Sequence, residues 1–509
     1  MGKNIFNSVQ VEKPKKNVFD LSHDVKQSMK MGNLTPVLVT ECVPGDSFQI
    51  GCDSLIRFAP MVAPVMHRMD VSVHYFFVPN RLTWDNWEKY IVDANTPNPL
   101  PYINYTDDFT ADQKKFLDYM GVPPNTGTGI TQALNALPIA AYQAIYNEYY
   151  RDENLVTEVD YTLADGNNTG DVADLVKMRQ RAWEHDYFTA SLPFAQKGTA
   201  VDIPIGSIDS DVAVNWNSLE TGSDNLKIAA YDSSNNIADY NSIGRSSGEA
   251  TIGTFDLIAK TSTLDIQPTT INDLRRAFRL QEWLEKNARG GTRYIENILM
   301  HFGVRSSDKR LQRPEYITGL KTPVIISEVL NTSATATEAQ GNMAGHGVAV
   351  STGKYGNYFC EEHGYIIGIM SVMPQPAYQQ GIPKTYLKSD PLDFFWPSFA
   401  HIGEQPVTNN ELYAYTATAE DTFGYVPRYA EYKYQPSRVA GDFRTVLDYW
   451  HLGRIFATQP ALNQAFIECD PDQVERIFAV QDGEDNLYCQ IMHKIKAVRP
   501  MPKFGTPNF

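Results

Sequence analysis

A chain of 509 residues that is 42% hydrophobic and 20% charged, with 33 Gly and 30 Pro, has the composition of a folded globular protein; collagen-like and disordered classes are excluded. The net charge of −16 argues against a simple basic nucleic-acid binder. Five cysteines, at 42, 52, 360, 469 and 489 and with no C-x-x-C pair, support neither a disulfide framework nor a zinc ribbon; reduced, buried thiols are expected.

Residues 1–33 read as a polar, lysine-rich arm without hydrophobic period, which needs a partner to be ordered. Met1–Lys16 has no apolar run of the kind that opens a secretory signal, so no cleaved leader is expected. From Leu34 to Phe58 the pattern is β, broken by the turn signal Pro44-Gly45-Asp46. The run Val71–Val78 predicts a long strand stopped by Pro79-Asn80. Thr83 then reads as an N-cap for a helix carrying Trp84, Trp87, Tyr90 and Ile91. A short helix is expected over Asp112–Met120, closed by Gly121, and another opens at Pro138 with Ile139, Tyr142, Ile145, Tyr146 and Tyr149 on one side.

Residues 198–264 change character. Ser, Thr, Asn, Asp and Gly dominate, nine acids face three basic residues, and turn signals separate short β pieces at Val212–Val214 and Phe255–Ile258. This reads as an exposed, acidic, mobile insertion spliced into a larger domain. Ile271, Leu274, Phe278, Gln281 and Leu284 mark one face of a helix that Thr270 caps and Gly290-Gly291 ends, and a second helix follows Thr292. Strands return at Val324–Val329, Tyr365–Val372, Arg476–Val480 and Leu487–Val498. The longest apolar stretch, Tyr365–Met373, is far shorter than the about 20 residues that span a bilayer, so no membrane insertion is expected. Strands at both ends of the chain, with helices and loops between, predict one β-sandwich carrying long inserts.

Catalytic signatures are missing from the sequence. Gly347, Gly353 and Lys354 have the wrong spacing for a phosphate loop, and no H-E-x-x-H or G-x-S-x-G occurs. Glu361-Glu362-His363 lacks a second histidine at ligand spacing. No carboxylate pair stands out. No catalytic residue, metal site or cofactor is therefore expected. Two rival classes remain, a carbohydrate-active β-sandwich enzyme and a single-stranded nucleic-acid binding module.

Charge is unevenly placed. Residues 1–30 carry six lysines and three acids, and residues 491–509 carry four basic residues and no acid. Lys3, Lys13, Lys15 and Lys16 at one end, and Lys494, Lys496, Arg499 and Lys503 at the other, are the candidate phosphate contacts. Phe6, Phe19, Phe504 and Phe509 lie near them, as candidates to stack on bases or to pack on a neighbouring subunit.

Several runs resemble one family. They include Phe19-Asp20-Leu21-Ser22-His23, Pro60–Arg68, Val73–Leu82, His185–Thr189, Leu192–Gly198, Ala288–Tyr294, Leu311–Tyr316, Tyr378–Gly381, His401–Gln405 and Arg499–Pro502. In this order they are similar to the major capsid protein of the Microviridae, gokushovirus type, and residues 198–264 match poorly, as the family's variable insertion would. The resemblance implies a mainly β fold, an eight-stranded viral jelly-roll sandwich with long loop and helical insertions. It implies four regions: an arm (1–33), a first part of the jelly roll with helical inserts (34–197), a surface protrusion (198–264), and the remainder of the jelly roll with a basic tail (265–509). It further implies a non-enzymatic protein that self-assembles into a T=1 icosahedral shell around circular single-stranded DNA. The implied partners are other copies of the chain, the DNA, a small basic DNA-packaging protein, pilot or minor capsid proteins, and a host surface receptor touched by the insertion. The implied place is the virion, assembled in the host bacterial cytoplasm.

Overall fold

A computed structural model describes residues 15–92, 97–124, 127–199, 201, 271–291, 293–330, 332, 343–481 and 483–504, and between 202 and 270 the backbone of four short strands. The first strands are Asn17–Asp20 (β1), His23–Met29 (β2), Thr35–Cys42 (β3), Ser47–Phe58 (β4) and Met69–Pro79 (β5). Gly45 takes a φ of 93° in the turn between β3 and β4, and the Val43 amide donates to Asp46 Oδ2 at 3.1 Å. For the described part of the N-terminal arm, residues 15–33, the ordering partner is in the same chain: β1 and β2 both pair with a strand at the far end of the sequence.

Short helices follow at Asn80–Thr83 (α1) and Trp87–Val92 (α2). Thr83 does not cap a helix as the sequence suggested. It ends α1, its hydroxyl donating to the Asn80 carbonyl at 3.0 Å, and Trp84 is extended. Tyr102–Tyr105 (β6) pairs with Gln132–Asn135 (β7), with Ala111–Tyr119 (α3) between them. Thr110 and Gln113 close a capping box at the start of α3. Leu137–Ile145 (α4) has Pro138 in its first turn, one residue after its start, and passes into one π turn, Tyr146–Tyr150. Val172–Leu175 (α5) completes this helical group.

The chain divides into two compact units, 198–284 and the remainder. In the first, Val212–Ala213 (β8) pairs with Ile258–Ala259 (β11) and Leu226–Tyr231 (β9) with Ile237–Ile243 (β10). The expected exposure and mobility of 198–264 lie outside the described residues. Ile271–Arg289 (α6) and Tyr294–Phe302 (α7) follow, the latter ended by left-handed Gly303.

The remaining strands are Glu315–Pro323 (β12), Ile325–Leu330 (β13), Met343–Thr352 (β14), Gly356–Phe359 (β15), Gly364–Pro374 (β16), Glu404–Thr408 (β17), Thr422–Pro427 (β18) and Leu487–Arg499 (β19). The expected strand at Arg476–Val480 is instead a 3-10 turn, Glu475–Ile477. Ile477 and Phe478 are both buried, which a one-faced strand cannot arrange for consecutive residues.

These strands build a jelly-roll-like sandwich. One sheet of seven segments runs β1-β19-β4-β14-β13, with β2 also on β19 and β15 also on β4; the other runs β12-β5-β16-β3. β12 and β13 are separated only by Val324, so the chain steps directly from one sheet into the other. The inner faces share a core that includes Ile50, Ile56, Val73, Tyr75, Ile366, Met370, Ile491 and Ile495. A second core lies behind the four-stranded sheet, where Phe76, Val78, Ile367 and Ile369 meet Phe116, Tyr142 and Ile145 of α3 and α4. All five cysteines are buried and unbridged, and burial pushes the Cys469 and Cys489 thiols up to about 12. Among the described residues no helix is long and apolar enough to cross a membrane.

Candidate nucleic-acid interface

β19 alternates strictly from Leu487 to Ala497. Leu487, Cys489, Ile491, His493, Ile495 and Ala497 are buried, and Tyr488, Gln490, Met492 and Lys496 are exposed. Period 2 therefore places Lys494 and Lys496 on the outer face of the seven-stranded sheet. β1 lies antiparallel to β19, with Asn17 opposite Arg499 and Asp20 opposite Lys496. The basic ends of the chain, 484 residues apart at the hydrogen bond from Asn17 Nδ2 to the Met501 carbonyl (2.6 Å), thus meet at one sheet edge.

The basic side chains there divide by partner. Arg499 reaches Asp46 at 3.5 Å, donates to the Glu41 carbonyl at 2.7 Å and lies over the Phe48 ring. Lys16 donates to the Gly45 carbonyl at 2.6 Å and sits over Phe359. Both therefore hold the β3–β4 turn. Lys494 pairs with Asp53, which raises its pKa. Lys496 is exposed opposite Asp20, whose carboxyl is lowered by hydrogen bonds from Ser22. Lys15 and Lys503 are exposed, and Lys503 lies 6.0 Å from the Phe504 ring centre. Lys3, Lys13, Phe6 and Phe509 lie outside the described residues, and Phe19 is half-buried.

The same face holds residues that the charge count missed. Arg57 stands opposite Tyr488, and Lys26 opposite Gln490. Tyr355 covers Gly51, where a Cβ would approach its ring to 3.1 Å. Phe359, Tyr355 and Tyr488 are each about half exposed. The alternation of β4 and β19 is the signal that finds Arg57 and Tyr488. Asp20, Asp24 and Asp53 also lie on or beside this face and offset part of its charge. His493, midway along β19, adds none: it is buried between Val37 and Tyr75, and desolvation lowers its pKa to about 4. Lysines and aromatics arranged so hold phosphates and stack bases without reading sequence. Among the described residues no group of three or more His, Cys, Asp or Glu could hold a metal.

The sequence matches the model of the phage capsid protein (F protein) family over residues 7–509. It is 34% identical over 594 residues to capsid protein VP1 of Chlamydia phage 1, covering 99% of this chain and 98% of that one. To capsid protein VP1 of Bdellovibrio phage phiMH2K it is 36% identical over 522 residues (96% and 94%). To the VP1 of Spiroplasma virus 4 it is 30% identical over 532 residues (96% and 94%).

Proposed function

Because the chain belongs to the phage capsid protein (F protein) family, as a Microviridae capsid protein of the gokushovirus type with a structural and not a catalytic role, we propose that its copies close into a T=1 icosahedral shell around circular single-stranded DNA. The full-length likeness to three VP1 capsid proteins carries this reading. The surface supports it. Phe394, Phe395 and Trp396 stand side by side, each about half exposed, and Phe302 and Tyr386 are about three-quarters exposed. Apolar area of this kind is covered by other subunits, and head-to-tail contacts repeated about rotation axes close a shell.

The sandwich is the eight-stranded viral jelly roll when β1–β2, β12–β13 and β14–β15 each count as one strand. The regions 1–33, 34–197, 198–264 and 265–509 are its arm, first part, protrusion and remainder. The protrusion contacts the host receptor, and the virion forms in the host bacterial cytoplasm.

The outer face of the seven-stranded sheet and the two basic ends turn inward and meet the genome. Lys3, Lys13, Lys15, Lys16, Lys494, Lys496, Arg499 and Lys503 touch phosphate, with Lys16, Arg499 and Lys494 also serving as structural ties. Eight charges on a chain of net −16 neutralise little of a genome, so a small basic packaging protein works beside them, with pilot or minor capsid proteins. Electron microscopy of the expressed chain tests the shell: uniform closed particles are expected, and a monodisperse monomer in mature lysates overturns the reading. DNA content per particle tests the face. Replacing Lys15, Lys16, Lys496 and Lys503 together by alanine is expected to lower it, most at low salt where the charges are least screened, and unchanged content at both low and high salt overturns the contact.

A further inference from the structure

The seven-stranded sheet ends at β13, and among the described residues no strand pairs with the edge of β13 that faces away from β14. Edge strands of folded proteins commonly carry lysine, proline or a bulge, which keep other chains off the unpaired amides and carbonyls. From Val324 to Leu330 the chain has one charge, Glu328, and no proline, and its ladder with β14 runs without a register shift. The side chains are apolar and open: Ile325 is 71% exposed, Val329 53% and Leu330 52%. An apolar edge of this kind is a template for a further strand.

Register decides which side chains share a face. Ile325, Ser327 and Val329 stand opposite Val348, His346 and Ala344 of β14. The alternate residues of β14, Gly345, Gly347 and Ala349, are buried. The odd-numbered residues of β13 therefore lie on the outer face of the sheet, which Val350, 65% exposed, continues. That face changes along the sheet, from lysines on β19 to an apolar strip at β13.

The strip fits a second copy of itself. Two copies of β13 related by a twofold axis pair antiparallel, with one residue directly opposite its own copy. With Ser327 in that place, Ile325 faces Val329 of the second copy, and Val329 faces Ile325 of the second copy. Each row across the junction, from Val348 through Ile325 and Val329 to Ala344, is then apolar. Glu328 falls opposite Ile326 and clear of its own copy. The neighbouring registers are worse. Centring on Glu328 sets two carboxylates opposite each other, and centring on Ile326 sets Val329 against Pro323, which has no amide to donate.

We propose that β13 pairs with β13 of a second copy of this chain across a twofold axis centred on Ser327, joining two seven-stranded sheets into one. The proposal rests on the reading of the chain as a shell subunit and names one contact by which its copies meet.

Ser327→Cys tests the contact on the full-length chain, as particles and as free protein. The new thiol meets its own copy at the cross-strand Cβ spacing of about 4.5–5.5 Å, so air oxidation catalysed by copper phenanthroline is expected to close an intermolecular disulfide. Covalent dimers on a denaturing, non-reducing gel are expected from this variant and not from the parent, whose five cysteines are buried. Val329→Cys alone is expected to give none, because two copies of that residue lie about 14 Å apart along the strands. Co-expressed with Ile325→Cys chains, it is expected to give heterodimers. Val329→Lys added to Ser327→Cys puts a charge in the apolar row and is expected to cut the dimer yield about tenfold or more. Urea unfolding curves show that each variant keeps its fold. No dimer from Ser327→Cys, or as much dimer from Val329→Cys alone, overturns the contact. The two readings fail separately: closed particles without the dimer sink the contact only, and the dimer without particles sinks the shell only.

Discussion

β16 of the four-stranded sheet is buried at all 11 of its residues, whereas β19 of the seven-stranded sheet alternates buried and exposed along most of its 13. Both strands feed the core between the sheets. β16, with its neighbours β5 and β3 (through Val39), also feeds the core behind, beneath α3 and α4. One sheet is thus a packed interior layer, and the other is a wall with a solvated face. That difference decides where chemistry can sit: basic and aromatic groups stand on the open face of β19 and β4, whereas β16 carries no charged residue and its aromatic Tyr365 is part of the core behind.

The largest expected effect is on the doubly covered sheet. Ile367→Ala should cost about 2–5 kcal/mol in urea unfolding, the range for a truncated core side chain, while Gln490→Ala on the open face should stay within about 0.5 kcal/mol. Equal costs would erase the contrast between the sheets.

Acid should act next, through histidines that the sandwich keeps neutral. Desolvation lowers His67, His74 and His493 to about 4. Their folded pKa lies below the unfolded value near 6.5, so the unfolded chain takes up protons first. Stability is whole above about pH 6.5 and falls as pH drops towards 4, by on the order of 2–3 kcal/mol for each histidine. Denaturation midpoints across that range check this, and a flat profile contradicts it.

At the edge where the chain ends meet, Asp46→Ala removes the acceptor of the Val43 amide and the carboxylate beside Arg499. A loss of about 1–3 kcal/mol is expected, with faster hydrogen exchange in β1 and the end of β19. The smallest effect belongs to Lys496→Ala, within about 0.5 kcal/mol of the parent in the same unfolding assay. A larger loss would make that lysine a part of the fold and not a free group on its face.

Local pattern determined much of this. The run Tyr365–Val372, apolar but for Ser371 and free of charge, marks a strand covered on both sides, and the alternation of Leu487–Val498 marks one covered on a single side, because side chains alternate across a strand. Turn chemistry at Pro44-Gly45-Asp46 and the helix signals around Pro138 and Gly121 are equally local. The short-range pattern misled at Thr83 and Arg476–Val480, where core packing sets the backbone. Only the tertiary structure decided that β1 pairs with β19, that Lys16 and Arg499 both clasp the β3–β4 turn, and that Lys494 is held by Asp53 while Lys496 stays free. The physical reason is that ladder partners and ion pairs are contacts between residues tens to hundreds of positions apart, and composition and period carry no record of which distant segments meet.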